Sequence, residues 1–162
     1  MFSGMLSIYS SFHTKDRLFQ DASGIWYVST EQFLQYRKAT ICGDKYAAMN
    51  ILCEMDPLTI KQIGDKVQVT EEWKRVARDV MLEGITAKFT QNPLLAESLL
   101  STGDRSFVDC NRYDKFWGTG MSLNYVLGRE AGKLVNDMPG RNIMGDILDT
   151  VKASLIEKHP VV

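Results

Sequence analysis

Between Glu71 and about Phe89, the residues Trp73, Val76, Ala77, Val80, Met81, Gly84, Ile85 and Lys88 return to one face at the 3.6-residue period of an α-helix. A helix so patterned must find partners for its apolar face, and the rest of the chain has to supply them. Thr70 is placed to cap it, and Glu71 and Glu72 favour the positive end of its dipole. Lys88 is the anomaly on the apolar stripe. A lysine there is expected to run its stem out to the surface, with contact to a ligand as the second reading.

Shorter helices surround this one. Ser29 opens a helix in which Gln32 stands where the reciprocal partner of a capping box belongs. On it Glu31, Gln35 and Lys38 are spaced i, i+4, i+7 and share a face, while Phe33, Tyr36 and Ile41 lie toward the other side. For an isolated helix a solvated Glu-Gln-Lys stripe is the more common outcome. Asp44 caps a helix expected to run through Met55 and to bury Tyr46, Met49, Leu52 and Cys53. Asp56-Pro57 starts a short helix that Gly64 should end. Asn92-Pro93 begins another, carrying Leu94, Leu95, Leu99 and Leu100 and ending near Gly103. Phe2 to Phe12 reads as extended or looped, Asp21 to Gly24 as a turn, and Ile25 to Val28 as a short strand. Gly128 to Val135 suggests a short helix. After the Pro139-Gly140 break, Asn142 is expected to cap a last helix burying Ile143, Met144, Ile147, Leu148, Val151 and Leu155, with Gly145 marking close approach by another backbone.

Ser101 to Gly120, STGDRSFVDCNRYDKFWGTG, packs acids, aromatics and glycines together. Thr102-Gly103-Asp104 reads as a turn, Phe107-Val108 as a short buried strand, and Asp109 to Gly120 as a loop carrying Asp109, Asp114 and Trp117. Gly118 and Gly120 would let the backbone approach a ligand, and a tryptophan beside a carboxylate offers a flat face with a charge at its edge. A buried structural tryptophan with surface acids explains the same residues, and the stretch alone does not choose.

At 162 residues and 44% hydrophobic, the chain has room for one ordinary core, so residues 1–158 are expected to form a single domain with 159–162 as a tail. A net charge of −1 provides no field to gather nucleic acid or an anionic membrane, so an anionic ligand would need a local pocket. The cysteines Cys42, Cys53 and Cys110 form no CxxC pair and leave an odd count, which suits a reducing compartment. His13 and His159 are too few for a zinc cluster, and neither a metal nor a cofactor is expected. With no signal peptide and no long apolar run, the expectation is a soluble, cytoplasmic protein.

One order of motifs carries a resemblance. FSG at Phe2 to Gly4, STEQFLQYRKA at Ser29 to Ala39, GDKYAAMNIL at Gly43 to Leu52 and DPLTIKQIG at Asp56 to Gly64 come first. Trp73, AKFTQNPLL at Ala87 to Leu95, LLSTGD at Leu99 to Asp104 and D-x-x-WGTGMS at Asp114 to Ser122 follow. This order resembles the NADAR, or YbiA-like, family along nearly the whole chain. The resemblance implies a mainly helical α+β domain that cleaves N-glycosidic bonds at ribose. The implied substrates are early riboflavin-pathway intermediates bearing ribose phosphate, or ADP-ribose attached to guanine. It implies catalytic parts for Glu31, Lys38 and Asp114, with Trp117 as the loop tryptophan. Where the family has Val-Glu this chain has Val108-Asp109, so Asp109 joins the catalytic candidates with a side chain one methylene shorter. The closing segment Gly140-Arg141-Asn142-Ile143-Met144-Gly145 keeps the family pattern apart from a methionine in place of leucine. Substrate contacts are expected from Phe2, Ser3, Gly4, Gln35, Trp73, Lys88, Trp117, Gly118, Arg141 and Asn142.

The chemistry can be argued from the residue types. Breaking a ribose–nitrogen bond builds positive charge at the anomeric carbon, so a carboxylate near the sugar and a group that improves the leaving base are needed. Glu31 and Asp114 are candidates for those parts, and Trp117 for stacking on the base. Lys38 could neutralise phosphate or act as an amine nucleophile on an opened sugar. A non-catalytic module binding NAD or ADP-ribose would use the tryptophan, lysine and glycines equally well. Two acids near a phosphate ligand do not help binding alone, which favours the enzyme.

Overall fold

The computed structural model describes residues 1–2, 7–128 and 137–158. Among these lie β1 (Phe19–Gln20), β2 (Trp26–Tyr27), α1 (Thr30–Ile41), α2 (Lys45–Cys53), α3 (Pro57–Asp65), α4 (Glu71–Thr90), α5 (Pro93–Leu100), α6 (Leu123–Leu127) and α7 (Ile143–Lys158). The fold is α+β and mainly helical, with strands of only two residues. The chain divides into two compact units, Ser11–Glu97 and Met1–Ser10 with Ser98–Val162. No helix among the described residues is long and apolar enough to cross a membrane.

In the Ser11–Glu97 unit, α1 packs against α2, α3 and α4. Ser29 Oγ accepts the Gln32 N–H at 3.0 Å, as a cap should. The reciprocal bond goes elsewhere: Gln32 Oε1 accepts from the Val28 N–H at 2.9 Å, and Nε2 donates to the carbonyls of Ile51 at 3.0 Å and Glu54 at 2.8 Å. The last turn of α2 presents carbonyls without helical partners, and tying them to α1 takes precedence over the local capping box. The periodic face of α4 is buried, with Phe89 added and Val76 only half-buried. Gly84 lies close against α1: a β-carbon there would lie 2.7 Å from Phe33 Cδ1. Lys88 does not reach the surface; it is wholly buried.

The expected face of α2 is overturned. Tyr46 is 80% exposed, Met49 69%, and Cys53 is also exposed, while Ala47, Ala48 and Ile51 are buried in a cluster with Ala39, Ile60 and Val67. Small side chains let two helices approach closely, so side-chain size is a poor guide to the buried face of a short helix. The helix also stops at Cys53 rather than Met55, because Glu54 is extended and its Oε1 accepts the N–H groups of Met55 and Asp56. Asp56 caps α3 through the Thr59 N–H at 2.8 Å, but Gly64 lies inside that helix rather than past its end. The sheet pairs Phe19 with Tyr27 and Gln20 with Trp26 around the turn at Asp21, whose Oδ1 accepts from Ser23 and Ile25.

α5 begins in the Ser11–Glu97 unit, where Leu94 faces out; in the other unit it ends at Leu100, with Leu99 buried, and the turn over residues 101–104 follows. Phe107-Val108 is not a strand. Pairing falls one residue later as an isolated parallel bridge between Phe2 and Asp109, with Phe2 N–H on the Val108 carbonyl and Cys110 N–H on the Phe2 carbonyl, both at 2.9 Å. The rings of Phe2, Tyr9 and Phe107 cluster beside it. Lys152 Nζ donates to the carbonyls of Gly103 at 2.9 Å and Arg105 at 2.6 Å, pinning the turn to α7. Ser122 caps the short α6, an element the sequence did not announce. Of the helix expected over Gly128 to Val135, Gly128 ends α6 and residues 129–136 lie outside the described ones. The apolar residues expected of α7 are all buried. Its Gly145 is pressed by the Phe107 carbonyl and the Asn142 side chain, the close approach that a glycine permits.

Candidate active site

The candidates fall into two groups, one in each unit. In the Ser11–Glu97 unit, the Glu31, Gln35 and Lys38 face is not a solvated stripe: the three are 4%, 5% and 9% exposed. The Ser29 cap places Glu31 in the first turn of α1. There its Oε2 accepts from Ser11 Oγ at 3.0 Å and its Oε1 from Gln35 Nε2 at 2.8 Å, while its backbone N–H donates to the Ser11 carbonyl at 2.9 Å. Burial raises the Glu31 carboxyl above its ordinary range, and the bonds from Gln35 and Ser11 pull it partly back. Burial lowers the Lys38 ammonium, opposed chiefly by the charge of Asp65. This helix face therefore holds an acid that retains its proton longer, and an amine that loses its proton sooner, than either would in water.

Lys88 is held down to about 7 by burial, with Nζ 5.4 Å from the centre of the Phe89 ring. The His13 imidazole is lowered by burial and then by the Lys88 charge. Trp73 is buried in the first turn of α4.

The second group is built around the loop. Asp109 is fixed through its backbone: its N–H donates to Asn142 Oδ1 at 2.9 Å, and its carbonyl accepts from Thr119 N–H at 2.9 Å and Thr119 Oγ1 at 2.8 Å. Its carboxyl is pushed up to about 6 by burial and by the charge of Asp114. Asp114 Oδ1 accepts the N–H groups of Phe116 at 2.9 Å and Trp117 at 2.8 Å, so this acid organises the turn that presents the tryptophan. Trp117 is half-buried, its ring edge-on to Phe116 at 4.8 Å, and its carbonyl accepts the Met144 N–H at 2.9 Å. That bond satisfies a donor in the first turn of α7.

Gly118 is buried against its own loop, where a β-carbon would lie 3.1 Å from the Asp114 carbonyl. Arg141 is exposed, with its guanidinium 5.1 Å from the Phe116 ring centre. Asn142 does not cap α7 with its side chain. At φ 50 it turns that side chain onto the partly buried Asp109 N–H and the buried Phe107 carbonyl, both of which need partners. Phe2 is a buried bridge residue. Ser3 and Gly4 lie outside the described residues. Among the described residues no three His, Cys, Asp or Glu side chains gather as a metal would require.

Sequence reasoning missed Ser11, which touches Glu31 from twenty positions upstream and belongs to no local pattern. It also missed Gly64, read only as a helix end, where a β-carbon would run into the Gln35 side chain.

The NADAR domain model matches residues 2–156. N-glycosidase R617 of Acanthamoeba polyphaga mimivirus is 31% identical over 128 residues, which cover 78% of this chain and 73% of that protein. The riboflavin biosynthesis protein PYRR, chloroplastic, of Zea mays is 34% identical over 97 residues, covering 58% of this chain but only 14% of that protein. The NMR structure of E. coli YbiA superposes with a TM-score of 0.76 at 21% identity, covering 99% of this chain and 87% of that one.

Proposed function

The chain belongs to the NADAR domain family, and from that premise we propose that it hydrolyses the ribose–nitrogen bond of a phosphorylated, nucleotide-like substrate. Family membership, with a relative named as an N-glycosidase, makes it a hydrolase of N-glycosyl compounds. The observation that carries the finer reading is the buried, doubly bonded Glu31 carboxylate. Positive charge grows on the anomeric carbon as the bond breaks, and a carboxylate held in a low-dielectric setting stabilises that charge more than one in water. A structural glutamate gains nothing from burial that a glutamine of the same volume would not supply more cheaply.

Lys38, whose free amine is favoured by burial, suits attack on an opened sugar as well as contact with phosphate. Borohydride reduction during turnover would trap the imine of the first role and find nothing in the second. The loop group suits proton transfer and stacking: the Asp109 carboxyl at about 6 can hold or release a proton near neutral pH, and Trp117 offers a ring face to a base.

The substrate proposed first is a ribosylamino-pyrimidine phosphate of riboflavin synthesis, supported by the maize relative's name. A net charge of −1 favours such a metabolite over ADP-ribosylated guanine within nucleic acid, where a general basic field would help. Three free cysteines fit a reducing cytoplasm. Incubation with each substrate, followed by chromatography of the released base, tests the reading. Release from the pyrimidine is expected. Release from neither would overturn the proposal, and release only from the guanine adduct would overturn the preference.

A further inference from the structure

Each oxygen of the Glu31 carboxylate accepts one bond within its unit, from Ser11 Oγ and from Gln35 Nε2, and keeps one lone pair for something else. The Gln35 bond depends on a residue of another helix. Gly64 sits in the last turn of α3, and a β-carbon there would run into Gln35 Oε1 and lie 2.5 Å from Cδ. The amide therefore lies in the notch that the missing side chain leaves. Its Oε1 is buried with no hydrogen-bond partner among the described residues. Turning the amide over would relieve nothing, because that oxygen would then face the Glu31 carboxylate, acceptor against acceptor.

Both local choices are unfavourable by themselves. A glycine inside a helix is less favourable than an alanine, and a buried acceptor left without a partner forfeits the hydrogen bond it would have in water. Two such costs at one point, both serving the same carboxylate, indicate function rather than packing.

We propose that Gly64 is a positioning residue: the notch it leaves seats Gln35, and Gln35 together with Ser11 holds the Glu31 carboxylate in its reactive orientation. This rests on Glu31 being the carboxylate that acts on the sugar. The competing role for Gly64 is close approach of α3 to α1 and nothing more. The two differ in what they do to the proton on Glu31. Losing the Gln35 bond removes an interaction that favours the charged form, so the carboxyl must titrate at higher pH.

The test uses Gly64→Ala, Gln35→Ala and the double variant, with ¹³C-labelled glutamate side chains and the Glu31 signal assigned by its loss in Glu31→Gln. Both single variants are expected to raise the Glu31 midpoint by about half a pH unit or more. The double variant should go no further than either, since both act through one bond. In turnover, kcat should fall about tenfold or more with KM little changed, and its pH profile should shift with the Glu31 midpoint. Should Gly64→Ala not fold, the double variant decides: folding restored by removing the Gln35 side chain supports the seat, and a double variant that also fails to fold assigns Gly64 to close approach of α3 to α1 and overturns it. A folded Gly64→Ala that loses stability with the Glu31 midpoint unmoved overturns the proposal, as do shifts that add in the double variant. A parent inactive on every N-glycosidic substrate, but with coupled midpoints, would overturn the enzymatic reading and leave the seat standing.

Discussion

Asn142 holds Asp109 and Phe107 together: its Oδ1 accepts the Asp109 N–H at 2.9 Å while its Nδ2 donates to the Phe107 carbonyl at 3.0 Å. One side chain thus supplies a donor and an acceptor to two backbone groups of the segment that leads into the loop. Asn142 also has φ 50, which asparagine tolerates better than most residues. Asn142→Ala removes both bonds and strains the backbone, and is expected to cost about 2–4 kcal/mol in urea unfolding. Asn142→Gly relieves the strain but not the lost bonds, and should lie about 1 kcal/mol closer to the parent. Equal stability of the alanine variant and the parent would remove Asn142 from the support of the loop.

The Asp109 carboxyl is raised in the fold to about 6 from an ordinary 3.8. Between those values the folded protein binds more protons than the unfolded chain, so stability falls as pH rises through that window. Asp109→Asn keeps the shape and removes the charge. It should therefore stabilise the protein at pH 7, by an upper bound of about 3 kcal/mol, and give no gain below pH 4. Urea midpoints at the two pH values check this. For turnover, the backbone bonds to Asn142 and Thr119 leave little freedom to absorb another methylene, so Asp109→Glu should lower the rate. Parent-like activity in Asp109→Ala would exclude Asp109 from the chemistry.

Trp117 is fixed at its backbone, its N–H donating to Asp114 and its carbonyl accepting from Met144, so truncating its ring leaves the turn in place. Trp117→Ala should raise KM more than Trp117→Phe does, because the phenyl retains a face for the base, and the full loss should correspond to about 1–3 kcal/mol. Steady-state kinetics of both variants decide it. Equal losses would assign the ring to packing against Phe116.

The long α4 and its cap are legible because a periodic pattern running from Trp73 to Lys88 averages out local exceptions. The sequence of the nine-residue α2 misleads, since Tyr46 and Met49 look more apolar than Ala47 and Ala48 but are too large for the seam with α1. Spacing puts Glu31, Gln35 and Lys38 on one face but says nothing of their burial, which depends on what α2, α3 and α4 place over α1. Ser11 and Gly64 act on Glu31 through contacts across long sequence separations, and no spacing rule records those. In the sequence Lys88 stands out as an exception on its stripe. Only the packed structure shows that its stem has no path to water.

The central claim is that the buried Glu31 carboxylate acts on the sugar, and Glu31→Gln tests it most directly. Glutamine keeps the volume and can still accept from Ser11, so the variant should remain folded, with unfolding within about 1 kcal/mol of the parent or more stable, since burial penalises the charge it removes. Release of base from a ribosylamino-pyrimidine phosphate should fall at least about a hundredfold. A folded Glu31→Gln that releases base within a few-fold of the parent would contradict the account.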